Sequence, residues 1–343
     1  MTAQIGVIGA GAWGTALAQS LAADGTEVRL WAREPELVAE VNAHHTNTLF
    51  LPSARLSPSV TATNALADMA PLPVLLVVVP AQHLARVLAD LPDAPSDLVH
   101  RDLVLCAKGI EAGTGRLMGD VAAAAAPSAQ LAVLSGPTFA HEVAAGLPTA
   151  VTLACSGGQA QWDRLAPLLS RPALRPYYSD DVIGAEIGGA VKNVLAIACG
   201  VVDGLGLGQN ARAALIARGF AEMLRFGLAR GGRAETLTGL CGMGDLVLTC
   251  SSTSSRNFSL GKALGEGLSA AEALAGKNSV AEGAHTAPVL ADLARRDGIA
   301  MPIVDAVCKL LAGEAPARAV VAELLARPLK PEQEYQSERE QGG

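Results

Sequence analysis

Two lysines stand in settings that suit acid–base chemistry or the binding of an anion. Lys192 lies in a predicted helix with Val191 and Val194 beside it, and two glycines stand just before. An ammonium among apolar side chains needs a partner, and desolvation brings its pKa into the range of a general acid or base. Lys108 directly follows an apolar run. A lysine with its stem packed at a helix edge and an ordinary surface lysine are the alternatives.

A hydroxyl-rich segment has the composition of a site for a dianion. Residues 251–255 are five consecutive Ser or Thr residues, and Arg256 and Asn257 follow them before a helix predicted from Phe258. Amides at the start of a helix and a guanidinium are favourable partners for a phosphate. A Ser/Thr-rich linker is the alternative, and it explains the hydroxyls but not the Arg-Asn pair.

A glycine-rich turn near the start of the chain predicts a dinucleotide site. Gly9, Gly11 and Gly14 form a GxGxxG that follows a predicted strand at 4–8 and opens a helix predicted from Thr15. In this context the first glycine permits a tight turn, the second lets the backbone approach a pyrophosphate, and the third lets helix and strand pack closely. A chance turn is the alternative.

The end of the second predicted strand should distinguish NAD from NADP. Arg33 follows that strand and could pair with a 2′-phosphate, whereas Glu34 lies near the spacing of an acid that accepts from a ribose hydroxyl. We expect NADP or NAD as the cofactor, with a modest preference for NADP and dual use left open. Two solvated side chains with no role are the alternative.

Short apolar runs alternate with helical patterns through the first half of the chain. This alternation predicts an α/β fold with a Rossmann-type, doubly wound parallel sheet, followed from about residue 180 by an all-α domain. Residues 1–179 are therefore predicted to form the dinucleotide-binding domain, 180–329 a helical substrate domain, and 330–343 a frayed tail. The predicted strands cover residues 4–8, 27–32, 74–79, 102–106, 131–134 and 149–153.

Composition excludes several classes of protein. A net charge of −7 argues against a general nucleic-acid binder. Six scattered cysteines without a CxxC pair indicate a reducing cytoplasm rather than a disulfide framework, and no metal site is expected. Residues 182–202 are apolar enough to span a bilayer, but their charges and glycines favour a buried helix in a protein that is not membrane-embedded.

The motifs, taken in order, resemble the NAD(P)-dependent glycerol-3-phosphate dehydrogenase family of bacterial type. The likeness covers nearly the whole chain, and the two long motifs of the second half are specific to that family. The matching segments are GAGAWGTALA at 9–18, AKGIE at 107–111, SGPTFAHEVAAGLPTA at 135–150, GGAVKNVLAIACG at 188–200, GMGDLVLTCSSTSSRN at 242–257 and VAEG at 280–283.

The resemblance implies reversible reduction of dihydroxyacetone phosphate to sn-glycerol 3-phosphate, feeding glycerophospholipid synthesis, in a homodimer. It implies that Lys192 is the acid–base residue, with Lys108 and Asp245 assisting. The substrate contacts that it implies are Lys108, Gly136, Thr138, Lys192, Asp245, Ser255, Arg256 and Asn257. The cofactor contacts are Gly9, Gly11, Ala12, Trp13, Gly14, Arg33, Phe50, Lys108, Ala140, Arg256, Val280 and Glu282.

Departures from the family pattern are few. Thr138 stands where Ser is frequent but keeps the hydroxyl, and Phe50 stands where Tyr is frequent and loses a phenol. Glu34 takes a place where a neutral or basic residue is expected, which weakens the NADP prediction. Two rival functions stay open. One is a β-hydroxy acid dehydrogenase of related architecture, and the other is a non-catalytic nicotinamide sensor.

Overall fold

One twisted sheet organises the first half of the chain. The computed structural model describes residues 4–275 and 281–329, so the predicted tail at 330–343 lies outside the described residues. The strand order is β3-β2-β1-β4-β5-β6-β7-β8. The strands are β1 Ile5–Ile8, β2 Val28–Trp31, β3 Val60–Thr63, β4 Val74–Val77, β5 Asp102–Leu105, β6 Gln130–Ser135, β7 Thr149–Cys155 and β8 Leu174–Ser179.

Helices cover both faces of this sheet, as expected for strands with near-continuous apolar runs. Separate apolar clusters built mainly from Val, Leu, Ile and Ala pack on the two faces. The helices are α1 Ala12–Leu21, α2 Pro35–His44, α3 Leu84–Ala89, α4 Met118–Ala125, α5 Ala140–Ala144 and α6 Gly158–Leu169. The predicted Rossmann-type architecture is confirmed.

Three details of the predicted sheet and its first helix were wrong. Strands β3 and β8 were not predicted. They lie at the two edges of the sheet, where their residues are partly exposed and need not form an apolar run. Strand β7 runs antiparallel to β6, a direction that apolar composition does not encode. Helix α1 begins at Ala12 rather than Thr15, because Gly14 fits inside the first turn of the helix.

The described part of the second half contains helices but no strand. Helix α7 lies at its centre, and every residue from 184 to 202 is buried. The helices are α7 Val182–Gly204, α8 Gly208–Ala229, α9 Ala234–Thr238, α10 Asp245–Thr249, α11 Arg256–Gly265, α12 Ala270–Leu274, α13 Glu282–Arg296, α14 Pro302–Ala312 and α15 Ala317–Leu325, with a π-helical turn at Leu240–Gly244.

Helix α7 is long and apolar enough to cross a membrane, but 89% of its most apolar window is buried inside the protein. Its neighbour α11 approaches very closely because both helices carry glycine at the crossing. A Cβ on Gly200 would lie 2.0 Å from the Phe258 carbonyl oxygen, and one on Gly261 would lie 1.9 Å from the Ile197 carbonyl oxygen. This close packing of α7 and α11 therefore fixes the positions of Lys192 and Arg256 relative to each other.

A buried carboxyl joins α7 to the sheet half of the molecule. Glu186 on α7 accepts a hydrogen bond from the backbone N–H of Gly119, at 2.6 Å, in the first turn of α4. Burial raises the pKa of Glu186 to about 8, although the amides of Gly119 and Met118 oppose the shift and Asp120 adds to it. This hydrogen bond satisfies the Gly119 amide, which has no partner within the first turn of α4. It requires that the Glu186 carboxyl be removed from water.

Glu186→Gln should flatten the dependence of stability on pH. An acid whose pKa is raised on folding contributes stability at low pH, and that contribution is lost as pH rises from about 4.5 through about 8. The free energy of unfolding of wild type minus that of the variant should therefore fall across this window, by no more than about 1.4 kcal/mol per pH unit. Urea titrations from pH 5 to pH 9 measure it, with exposed Glu266→Gln as the control. Parallel curves would contradict the prediction.

Candidate active site

Two lysines from different halves of the chain share one buried carboxylate. Lys192 Nζ donates to Asp245 Oδ1 at 2.7 Å and to Thr249 Oγ1 at 2.9 Å. Lys108 Nζ donates to Asp245 Oδ2 at 2.6 Å and to the Gly136 carbonyl oxygen at 3.1 Å. Asp245 is fully buried and Lys192 is 6% exposed. Lys108 comes from the loop after β5, whereas Lys192 and Asp245 come from α7 and α10.

The charges of this cluster set its proton affinities. Burial lowers the pKa of Lys192 to about 8, with Lys108 acting in the same direction and Asp245 opposing. Burial alone would raise the pKa of Asp245, but the two ammonium groups outweigh it and hold that pKa below its usual value. At neutral pH the cluster thus carries two cations and one anion, and one positive charge remains uncompensated.

Glycines bring the three charged residues together. A Cβ on Gly188 would lie 2.6 Å from the Cys241 carbonyl oxygen in the π-helical turn that precedes Asp245. A Cβ on Gly189 would lie 3.1 Å from Ser135 Oγ and 3.3 Å from Lys108 Cγ. The Gly-Gly pair before Lys192 therefore lets α7 contact both the π-helical turn and the Lys108 side chain.

An amide relay connects this cluster to the predicted phosphate site. Asn257 Nδ2 donates to Asn193 Oδ1 at 2.9 Å, and Asn193 Nδ2 donates to the Lys108 carbonyl oxygen at 3.3 Å. The backbone N–H of Gly283 donates to Asn257 Oδ1 at 2.9 Å. Asn257, predicted as a substrate contact, is thus also a structural link between α7, α11 and α13.

The predicted phosphate residues lie at the start of α11. Ser255 caps the helix, and its Oγ accepts from the Phe258 backbone N–H at 3.2 Å. The helix begins at Arg256 rather than at Phe258 as predicted, because the Ser255 cap sets its first turn. The Arg256 residue is exposed to solvent overall. Desolvation of its guanidinium nevertheless lowers its pKa, and the Glu282 carboxylate opposes this shift. Within residues 4–275 and 281–329, the Arg256 side chain makes no hydrogen bond.

The glycine-rich turn has the geometry that a dinucleotide pyrophosphate requires. Gly9 has a φ of +116°, which favours glycine, and a Cβ there would lie 2.9 Å from the Val78 carbonyl oxygen. A Cβ on Gly14 would lie 1.8 Å from the Gly9 carbonyl oxygen, whereas the space beside Gly11 is open. Ala12 and Trp13 start α1, and no side chain caps its free amides. These residues fit NAD or NADP.

Other predicted cofactor contacts surround the same edge of the sheet. Phe50 packs against the core on the face covered by α1, and Ala140 begins α5, which lies against α1. Glu282 Oε1 accepts from the Ala81 backbone N–H at 3.3 Å beyond β4, and burial raises the pKa of Glu282. Arg33 follows β2 and is paired with Glu34. Val280 lies outside the described residues.

Sequence reasoning missed Thr249 and the relay role of Asn193. Thr249 lies four residues after Asp245 in α10, and its Oγ1 also donates to Asp245 Oδ1 at 3.1 Å. The i, i+4 spacing of an acid and a hydroxyl in one short helix is a signal that could have found it. Thr138, predicted from the same motif as Gly136, lies beside it and donates to the Gly136 carbonyl oxygen at 3.3 Å. Within the described ranges, no group of three or more His, Cys, Asp or Glu residues could hold a metal ion.

Two family models together match most of the chain. The model for the N-terminus of NAD-dependent glycerol-3-phosphate dehydrogenase matches residues 4–161, and the model for its C-terminus matches residues 181–322. The chain is 70% identical over 334 residues to the glycerol-3-phosphate dehydrogenase [NAD(P)+] of Erythrobacter litoralis, covering 97% of this chain and 99% of that relative. The Novosphingobium aromaticivorans enzyme of the same name is 70% identical over 332 residues, with 97% and 99% covered.

Solved structures agree with this match. The glycerol-3-phosphate dehydrogenase of Coxiella burnetii superposes with a TM-score of 0.87 at 41% identity, covering 94% of this chain and 98% of that one. The glycerol-3-phosphate dehydrogenase of Saccharomyces cerevisiae gives a TM-score of 0.81 at 27% identity, covering 95% and 100%. The Rossmann half and the helical half are therefore arranged as in these enzymes.

Asp245→Asn should lower the pKa of Lys192 further. The carboxylate favours the ammonium form, and loss of a contacting opposite charge typically shifts a pKa by about 1–3 units. Lys108→Met should have the reverse effect, since Lys108 lowers that pKa. The chain has only six lysines, so ¹³C-lysine NMR titration can follow each one, with Lys309 as an internal control. Equal Lys192 pKa values in all three proteins would contradict the prediction.

Proposed function

The chain belongs to the NAD-dependent glycerol-3-phosphate dehydrogenase family, and we propose that it reduces dihydroxyacetone phosphate reversibly to sn-glycerol 3-phosphate with NADH or NADPH. The observation that carries the proposal is the Lys192–Asp245–Lys108 cluster beside the carboxyl ends of the sheet strands. Ligands of open α/β sheets bind at this edge. The product would feed glycerophospholipid synthesis, in the cytoplasm and in a homodimer.

Lys192 is the proton donor in this proposal. Reduction of a ketone leaves an alkoxide, so a donor must lie within hydrogen-bond reach of that oxygen. A Lys192 pKa of about 8 keeps the ammonium form dominant at neutral pH, yet makes it more acidic than an ordinary lysine. When bound, the nicotinamide supplies the hydride. In the reverse direction, the neutral Lys192 amine accepts the proton of the substrate alcohol.

Asp245 and Lys108 prepare that proton transfer. Asp245 Oδ1 and Thr249 Oγ1 take two protons of the Lys192 ammonium at 2.7 and 2.9 Å, which leaves one N–H for a substrate oxygen. Lys108 is 16% exposed in its side chain and adds a second positive charge where negative charge develops. Burial of the carboxylate keeps these interactions away from the screening of bulk water.

The start of α11 binds the substrate phosphate in this proposal. Arg256 contributes a fixed positive charge, the Ser255 hydroxyl still has its own proton to donate, and the helix dipole favours an anion there. Asn257 connects this end of α11 to Lys108 through Asn193. Binding energy from the phosphate thereby positions the reacting carbonyl. Gly136 and Thr138 would complete the substrate contacts from the loop after β6.

The cofactor would extend from the end of β2 to the start of α13. Its pyrophosphate would lie on the amides of α1, since the turn before that helix has room beside Gly11 and no capping side chain. The domain division proposed near residue 180 would then leave most cofactor contacts in the first domain, with Arg256, Val280 and Glu282 contributed by the second. The residues proposed to hold the cofactor are Gly9, Gly11, Ala12, Trp13, Gly14, Arg33, Phe50, Lys108, Ala140, Arg256, Val280 and Glu282.

The rival functions explain less. A β-hydroxy acid dehydrogenase needs a site for a carboxylate, whereas the α11 start offers a cation, a hydroxyl and helix amides suited to a dianion. A non-catalytic sensor would bind cofactor without turnover and leaves the buried Lys192–Asp245 pair unexplained. Oxidation of NADH or NADPH that depends on dihydroxyacetone phosphate tests the proposal, and cofactor binding without such oxidation would refute it.

Lys192→Ala should lower kcat by about 10²–10⁴-fold, the usual contribution of a general acid. In wild type, kcat/KM for ketone reduction should fall as pH rises through about 8, because the free enzyme loses the Lys192 ammonium, whereas kcat/KM for alcohol oxidation should rise over the same interval. Steady-state assays from pH 6 to pH 10 in both directions measure this, with partly exposed Lys309→Ala as the control. A loss below tenfold would remove Lys192 from the role of proton donor.

Arg256→Ala should weaken substrate capture more than turnover. Loss of a charge-assisted contact to a phosphate costs about 1.5–3 kcal/mol, so KM for dihydroxyacetone phosphate should rise about 10- to 100-fold. The preference for glycerol 3-phosphate over glycerol should shrink by a similar factor. Exposed Arg295→Ala serves as the matched loss of charge. An unchanged preference for the phosphate in Arg256→Ala would move the phosphate site elsewhere.

A further inference from the structure

The carboxylate of Glu34 is already paired with Arg33, the arginine that a 2′-phosphate would need. Glu34 Oε1 accepts from Arg33 Nη2 at 2.8 Å and from Arg33 Nε at 3.1 Å, so one carboxylate oxygen takes both contacts. The Arg33 side chain is 80% exposed and that of Glu34 is 32% exposed. The pair is therefore accessible to a ligand.

The position of this pair corresponds to the adenosine ribose of a bound dinucleotide. Backbone hydrogen bonds join the end of β2 to the glycine-rich turn, since the Gly9 N–H donates to the Trp31 carbonyl oxygen at 3.0 Å. In Rossmann folds an acid about 20 residues after the glycine-rich turn accepts from the ribose 2′-hydroxyl, and a nearby arginine takes the 2′-phosphate of NADP. Glu34 stands 20 residues after Gly14.

Local structure holds Glu34 in this arrangement. Its backbone is the N-cap of α2, and Pro35 occupies the first helical turn, which restricts the chain there. The Glu34 side chain makes no capping hydrogen bond to α2, so its carboxylate is available to Arg33 and to a ligand. Glu34 Oε2 makes no hydrogen bond within the described part of the chain.

We propose that Glu34 is the residue that sets the cofactor preference of this chain. It lowers affinity for NADP by competing with the 2′-phosphate for Arg33, and it raises affinity for NAD by offering a carboxylate oxygen to the 2′-hydroxyl. The inference rests on the proposed function only in requiring that a nicotinamide dinucleotide binds at the glycine-rich turn.

The strength of the pair limits the effect to a bias rather than an exclusion. Exposed ion pairs contribute up to about 1 kcal/mol, which corresponds to about fivefold in affinity. Repulsion between the carboxylate and a 2′-phosphate adds to this, and salt screens both contributions. Both cofactors should therefore bind, with NADP binding weaker than a free Arg33 would allow.

Glu34→Gln tests the proposal by calorimetric titration without substrate. The variant keeps the size of the side chain but loses its charge. NADPH should bind about 3- to 10-fold more tightly and NADH somewhat more weakly. The same contrast should hold between 2′-phospho-ADP-ribose and ADP-ribose, because these fragments lack the nicotinamide. The gain for NADPH should shrink in the Arg33→Ala background, where only the lost repulsion between the carboxylate and the 2′-phosphate remains.

Glu36→Gln is the matched control, since Glu36 is exposed in the first turn of α2 and its removal changes the net charge equally. It should change neither affinity by more than about twofold. Equal gains for NADPH in Glu34→Gln and Glu36→Gln would overturn the proposal in favour of general electrostatics, and so would unchanged affinities in Glu34→Gln. Failure of the wild-type protein to bind either dinucleotide would instead refute the proposed function.

Discussion

The sharing of one buried carboxylate by two lysines is the constraint on which the site depends. Asp245 has no exposed surface, so its charge is tolerable only while Lys108 and Lys192 contact it at 2.6 and 2.7 Å. Lys108 belongs to the sheet half of the molecule, whereas Lys192 and Asp245 belong to the helical half. The two halves must therefore pack in one arrangement to neutralise the acid, and that arrangement also forms the site.

Helix α7 supplies most of the connections that fix this arrangement. Glu186 bonds to a backbone amide of α4, Lys192 to Asp245 of α10, and Asn193 to Asn257 of α11. Each of these three polar groups thus contacts a different element. A rotation or slip of α7 would leave several buried polar groups unpaired at once, at a cost of about 1–3 kcal/mol each. Polar residues in this core specify register, and apolar residues supply the bulk of the packing.

The sequence was sufficient for elements with strong local signals and insufficient for those that depend on partners. Buried strands and the turn at Gly9 follow from apolar runs and glycine spacing, whereas β3 and β8 are edge strands with ordinary composition. Lys192 stood out because a charge in an apolar helix needs a partner. Nothing local identified Asp245 as that partner, since the contact joins residues 53 positions apart.

Charge distribution explains how an acidic chain can bind anions. The net charge is −7, yet the candidate site places two lysines against one buried aspartate, and Arg256 adds a positive charge at the start of α11. Fields from distant surface acids are screened within about 8–10 Å at physiological salt, whereas charges in a partly buried cleft act at short range and low dielectric. The local excess of cations therefore outweighs the overall negative charge. At the other end of the proposed cofactor site the effect is opposite. Glu34 places an acid against Arg33, so affinity for a phosphate there is reduced rather than increased.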